Sequence, residues 1–234
     1  MANTICLKDF KPRTTAPATN NKYYINIRKK GYNRAKVIDV KSGSCLPNCV
    51  AAVHGRWLET ALNTDYKTCD KLCTGNAHSY WSFNDGYKRG QKARVGAIAC
   101  WTGGKYGHVG YVEKVNADGS IYCSMSDDTN KVRWYYRTIK KVNGTYNYNN
   151  FGFQGFIYNP YVLTKKGFAK INPSGAGLRV RQSYTTQSKI VGHVEVGKSY
   201  AVYETKKNQG YTWYRIGTSE WIANNGEWIT YKGV

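Results

Sequence analysis

VGAIACWTGGKYGHVGYVEKVNADGSIYCSMS, residues 95–126, sets the fold class. Three runs rich in Val, Ile, Tyr and Trp, over 95–101, 108–115 and 120–126, read as strands. Thr102-Gly103-Gly104 and Asn116-Ala117-Asp118-Gly119 separate them as turns. Upstream the period is helical. Asn48 after Pro47 is an N-cap, and Val50, Val53, Trp57 and Leu58 recur at helix spacing. A second, shorter helix is expected over 77–83, and residues 1–40 are polar and irregular. Helices followed by an antiparallel sheet predict an α+β domain.

Downstream, Asn159-Pro160 and Thr164-Lys165-Lys166-Gly167 mark a boundary. The expected division is a first domain over 1–160, a linker over 161–170 and a second domain over 171–234. The last segment holds only short strand-like runs, at 178–181, 190–194, 200–204, 213–216 and 220–223. Such a pattern predicts a small all-β barrel.

The 234-residue chain carries 35 Lys and Arg against 14 Asp and Glu, a formal charge of +21. Of this, +17 falls on residues 1–170. Such a field draws a protein to polyanions: nucleic acid, an anionic membrane surface or an anionic cell wall. No apolar run is long enough for a transmembrane helix, so no membrane insertion is expected. The start, Met1-Ala2-Asn3-Thr4-Ile5-Cys6, lacks the apolar core of a signal peptide. Synthesis in the cytoplasm, with any outward role relying on a separate release route, is the expectation. Seven cysteines, all before residue 124, leave at least one thiol unpaired within the chain.

Cys49 directly follows the N-cap. A thiol there faces unpaired backbone N–H groups and the positive end of the helix dipole, which favour thiolate. The same N–H groups suit an oxyanion. His108 opens a strand after a glycine-rich turn, within reach for a general base. If Asn116 pairs with Gly119, opposed residues sum to 235 and Asp127 stands across from His108. A three-residue loop with a bulge at Gly119 raises the sum to 236 and selects Asp128. Asp127 is preferred as the group that orients the imidazole.

Taken together, Leu46-Pro47-Asn48-Cys49-Val50-Ala51-Ala52-Val53-His54-Gly55-Arg56-Trp57, then Gly96-Ala97-Ile98-Ala99-Cys100-Trp101 and Gly107-His108-Val109-Gly110-Tyr111-Val112-Glu113, resemble the CHAP family of cysteine-dependent peptidoglycan hydrolases. Thr74-Gly75-Asn76-Ala77 and Trp81 fit the same pattern. The resemblance covers roughly residues 20–160. It implies a papain-like (NlpC/P60-type) α+β fold, Cys49 as nucleophile and His108 as base. Cys45 is the rival thiol and is disfavoured because it precedes the proline and the cap. Met125 stands where such domains often carry Glu. Some of these domains bind calcium before the nucleophile, but residues 25–41 offer only Asp39, so no metal is expected. Gly177-Leu178-Arg179-Val180-Arg181, Val196-Gly197, Trp213-Tyr214-Arg215-Ile216-Gly217 and Glu220-Trp221-Ile222 resemble bacterial SH3-type (SH3b) wall-binding domains with an SH3-like barrel. That domain order is similar to phage endolysins, which reach the wall through a holin pore.

Cys69, Cys73 and His78 lack the fourth ligand of a structural zinc site; a Cys69–Cys73 disulfide or two free thiols is the expectation. No nucleic-acid motif accompanies the basic charge, so no nucleic-acid partner is expected. Asn48, Trp81, Trp101 and Tyr106 are the candidate substrate contacts. The resulting expectation is a monomeric, cofactor-free endolysin-type enzyme acting on bacterial peptidoglycan and its anionic wall polymers. N-acetylmuramoyl-L-alanine amidase activity is favoured over endopeptidase cleavage of the stem or cross-bridge. A non-catalytic wall-binding protein is the remaining alternative.

Overall fold

The computed structural model describes residues 4–18, 20–24, 48–127 and 133–234, apart from the side chains of Tyr66, Asp127 and Arg133. The chain divides into two compact units. Among the described residues, the first comprises 11–161. The second comprises Thr4–Phe10 and Val162–Val234. It therefore includes a two-residue strand, β1 (Ile5–Cys6), from near the start of the chain.

In the first unit, α1 (Cys49–Thr60) begins where expected, because the Asn48 carbonyl side chain accepts the Ala51 N–H at 3.0 Å. A single turn, α2 (Tyr66–Cys69), follows. The remaining elements are strands: β2 (Arg89–Gly90), β3 (Ile98–Thr102), β4 (His108–Val115), β5 (Ile121–Asp127), β6 (Arg133–Ile139) and β7 (Gly152–Ile157). They form one antiparallel sheet in the order β2-β7-β3-β4-β5-β6.

Alternation sorts the two faces. Trp101, Val112, Cys123, Met125 and Phe156 build a buried core on one side, joined by Tyr146. Tyr111 projects to the other, where its hydroxyl meets Thr60 of α1 at 3.0 Å. Farther along that side the buried Glu113 accepts two bonds from Arg56, at 2.9 and 2.7 Å, and one from Ser124 at 2.8 Å. Arg56 also binds Glu59, which in turn holds Arg13. This chain of charges fixes the helix to the sheet. Burial opposes the Arg56 charge, yet Glu113 and Glu59 hold its pKa above the ordinary value.

The expectation of a papain-like α+β arrangement is corrected: the described fold is predominantly β, with two helices, one of them a single turn. The helix expected over 77–83 is a 3₁₀ turn at Ala77–Ser79 with no side-chain cap. Its backbone groups are engaged elsewhere. The His78 N–H donates to the Tyr106 carbonyl, and Arg89 collects the carbonyls of Tyr80, Trp81 and Phe83. Trp, Ser and Phe are also weak helix formers. Strands β6 and β7 add further sheet that the sequence reading omitted.

The second unit is all-β apart from a 3₁₀ turn at Pro173–Gly175. Its strands are β8 (Val162–Leu163), β9 (Gly167–Ile171), β10 (Arg179–Arg181), β11 (Ile190–His193), β12 (Ser199–Val202), β13 (Glu204–Asn208), β14 (Tyr211–Gly217), β15 (Glu220–Asn224) and β16 (Ile229–Gly233). A five-stranded sheet, β11-β10-β15-β14-β13, and a three-stranded one, β12-β9-β16, enclose Ala169, Ile171, Val180, Val202, Ile216 and Ile222. Residues 161–170, read as a linker, contain β8 and the start of β9.

Candidate active site

Cys49 is the first residue of α1 and is half-buried, with the N–H groups of the first turn beside it. The neighbouring Asn48 is buried, and its side chain is occupied in capping the helix. Cys45 lies outside the described residues.

His108 opens β4 opposite Trp101 of β3. Gly107 precedes it at φ +70°, where a Cβ would stand 2.6 Å from the His78 nitrogen and 2.9 Å from the Trp101 carbonyl. Only glycine fits that approach. The imidazole is 7% exposed and sits among aromatic rings: Tyr148 at 5.8 Å, Phe151 at 5.9 Å and Trp101 at 6.0 Å between centroids. Its Nε2 lies 3.3 Å from the Tyr135 hydroxyl.

The hairpin register is mixed. Near the turn, Val115 faces Ile121, a sum of 236; past an irregularity between Val112 and Lys114, Val112 faces Cys123, a sum of 235. Extended to the strand end, the second register sets position 127 opposite position 108. The Asp127 side chain and all of Asp128 lie outside the description. Met125 is fully buried, and a Cβ at Gly110 would come within 2.9 Å of its Cε.

Alternation along β4 turns His108, Gly110 and Val112 to the Trp101 face and Tyr111 to the face that carries α1. Burial raises the Tyr80 phenol well above its ordinary value, and Asp70, Cys73, Cys49 and Cys100 add to the effect. Trp101, wholly buried, donates its indole N–H to the Tyr146 carbonyl at 2.6 Å, and is brought against His108. Trp81 instead lies over Gly155, where a Cβ would be 2.4 Å from the indole. Tyr106 is 45% exposed in the turn before His108.

Sequence reasoning missed two groups. One is Tyr135, on a strand that was not anticipated. The other is a buried series: Asp70 meets His54 Nδ1 at 2.6 Å, and His54 Nε2 meets the Tyr80 hydroxyl at 2.7 Å and the Cys73 carbonyl at 3.0 Å. No local motif signals either, because each joins residues from separate elements. Cys69 and Cys73 form no disulfide, and among the described residues no group of three or more His, Cys, Asp or Glu could hold a metal. The stretch over 25–41 considered for calcium lies outside the described residues.

Residues 39–127 match the family model of the CHAP domain, a span that contains Cys49 and His108 and ends at Asp127. Within the chain, 64 residues are 47% identical to the "Probable autolysin SsaALP" of Staphylococcus aureus (strain NCTC 8325 / PS 47), covering 26% of this chain and 24% of that protein. A "Putative hydrolase" of Streptococcus mutans serotype c is 36% identical over 72 residues, 31% of this chain and 32% of the relative. The "N-acetylmuramoyl-L-alanine amidase sle1" of Staphylococcus epidermidis is 46% identical over 56 residues, 24% of this chain and 17% of that one. The matches thus span no more than a third of these relatives' lengths. Among solved structures, Ly7917 with the hydrolyzing product of MDP aligns over 93% of this chain and all of its own, at 16% identity and a TM-score of 0.35.

Proposed function

We propose that the chain is a bacterial cell-wall hydrolase that cleaves an amide bond of peptidoglycan through Cys49 and His108. The observation that carries this reading is the thiol at the first residue of a capped helix, inside the CHAP match that also contains His108. The Cys49 thiolate attacks the carbonyl carbon, and first-turn N–H groups receive the oxyanion. His108, as imidazolium, gives its proton to the departing amine while the C–N bond breaks. Water then attacks the thioester, His108 takes its proton, and the C–S bond breaks to restore the thiolate. An N-acetylmuramoyl-L-alanine amidase is the preferred specificity, supported by the name of the sle1 relative. The second unit is read as the wall-binding module, and the +21 charge suits phosphate-rich wall polymers.

A second reading, wall binding without cleavage, draws on the projection of His108 to the face away from α1. One assay separates them. Cys49→Ala should lose turbidity clearing of purified walls by at least about a thousandfold, with the circular dichroism spectrum unchanged, while Cys45→Ala keeps it. Clearing by Cys49→Ala would remove the enzymatic reading. Mass spectrometry of the digested wall identifies the bond.

A further inference from the structure

Within the sheet, Tyr135 pairs with Met125, and residues opposed across strands share a face. Gly110 stands across from Met125 when the 235 register is extended. His108 and Tyr135 therefore rise from the same face, separated by β5. Their rings are nearly parallel, 12° apart with centroids at 6.5 Å, and the Tyr135 hydroxyl reaches Nε2 at 3.3 Å. Met125, buried in the core, offers only a thioether. Among the described residues, rings facing the imidazole include Trp101 from β3 and Tyr148 and Phe151 from the segment leading into β7, and the extended register sets position 127 of β5 opposite position 108.

We propose that Tyr135 is the positioning residue of His108: its phenol oxygen accepts the Nε2–H, which makes Nδ1 the nitrogen that carries the lone pair. This rests on the enzymatic reading above. The physical reason is orientation. A neutral imidazole has two tautomers, and a fixed acceptor at one nitrogen selects which nitrogen presents the lone pair. A phenol oxygen does this without the charge of a carboxylate. Both the neutral Nε2–H tautomer and the imidazolium make this bond, but it is stronger from the charged donor and so favours the imidazolium, and the packed ring holds the imidazole plane.

The test uses the full chain with ¹⁵N-labelled histidine, with His108 assigned by the His108→Ala spectrum. The wild-type neutral imidazole should be the Nε2–H tautomer. Tyr135→Phe keeps the ring and removes the acceptor. It should yield mixed tautomers, slow clearing about tenfold with little change in KM, and move the basic limb of the rate profile to lower pH by about 0.5–1 unit. The sign follows from the imidazolium losing its acceptor. An Nδ1–H tautomer in the wild type overturns the proposal even if Tyr135→Phe fails to fold. So does a profile that Tyr135→Phe leaves in place while Asp127→Asn moves it. Should Cys49→Ala still clear walls, the enzymatic reading fails, whereas the tautomer measurement still reports on Tyr135.

Discussion

At Glu59 one carboxylate meets two guanidinium groups. Arg13 binds it through Nε and Nη2, and Arg56 through Nη1 at 2.7 Å. Burial pushes its pKa up, but the Arg13 bond and the Arg56 charge outweigh burial and hold it below the ordinary 4.5. A depressed folded value means that the charged form contributes stability above the unfolded pKa. That contribution is lost as pH falls from about 4.5 through the folded value. Glu59→Gln should therefore cost about 2 kcal/mol at pH 7, less than a wholly buried pair because part of the side chain reaches solvent. Its stability should also fall less steeply on acidification. Urea unfolding from pH 7 to pH 3 measures both. Parallel acid limbs for the two proteins would show that Glu59 does not carry the effect.

The helix is the element that the sequence declared most openly, since Asn48, Val50, Val53, Trp57 and Leu58 act within one segment. Strands β3, β4 and β5 were legible for the same reason. The register between β4 and β5 was not. A three-residue turn sets the sum near Asn116, and the irregularity at Glu113 changes it. That irregularity lies where Glu113 is held by Arg56 and Ser124, a contact with a distant helix that no local pattern encodes. The failed helix over 77–83 has the same origin, because Arg89 and Tyr106 take its backbone groups. Position at an element also sorts the thiols. Burial lifts Cys6 to about 12 and raises Cys73, Cys100 and Cys123 as well. Cys49 is half-buried at a helix start, where thiolate is favoured. With iodoacetamide at pH 7, followed by peptide mapping, Cys49 should label at least about tenfold faster than the other five described thiols. Equal labelling of Cys6 or Cys73 would contradict this ordering.

The division of the whole molecule into units does not follow the order of the chain. Thr4–Phe10 belongs to the second unit, although composition alone assigned it to the first domain. Ile5 and Cys6 pair in parallel with Val162 and Leu163. Arg215, nearly buried on β14, donates to the Thr4 carbonyl at 2.9 Å, besides its contact with Glu204 at 3.3 Å. Asp9 accepts from both the N–H and the hydroxyl of Thr218, at 2.8 and 2.7 Å, and Lys8 meets Glu220 at 2.8 Å. The exposed Lys8 pair contributes little. Arg215 matters more, because deleting Thr4 leaves a buried guanidinium with fewer acceptors. Removal of residues 1–10 should therefore weaken the second unit by about 2–3 kcal/mol. In hydrogen exchange, amides of 211–224 should exchange at least about tenfold faster, while those of 108–127 keep their rates. Unchanged protection over 211–224 would mean that this segment does not support the unit, and equal acceleration in both stretches would point to a loss of stability shared by both.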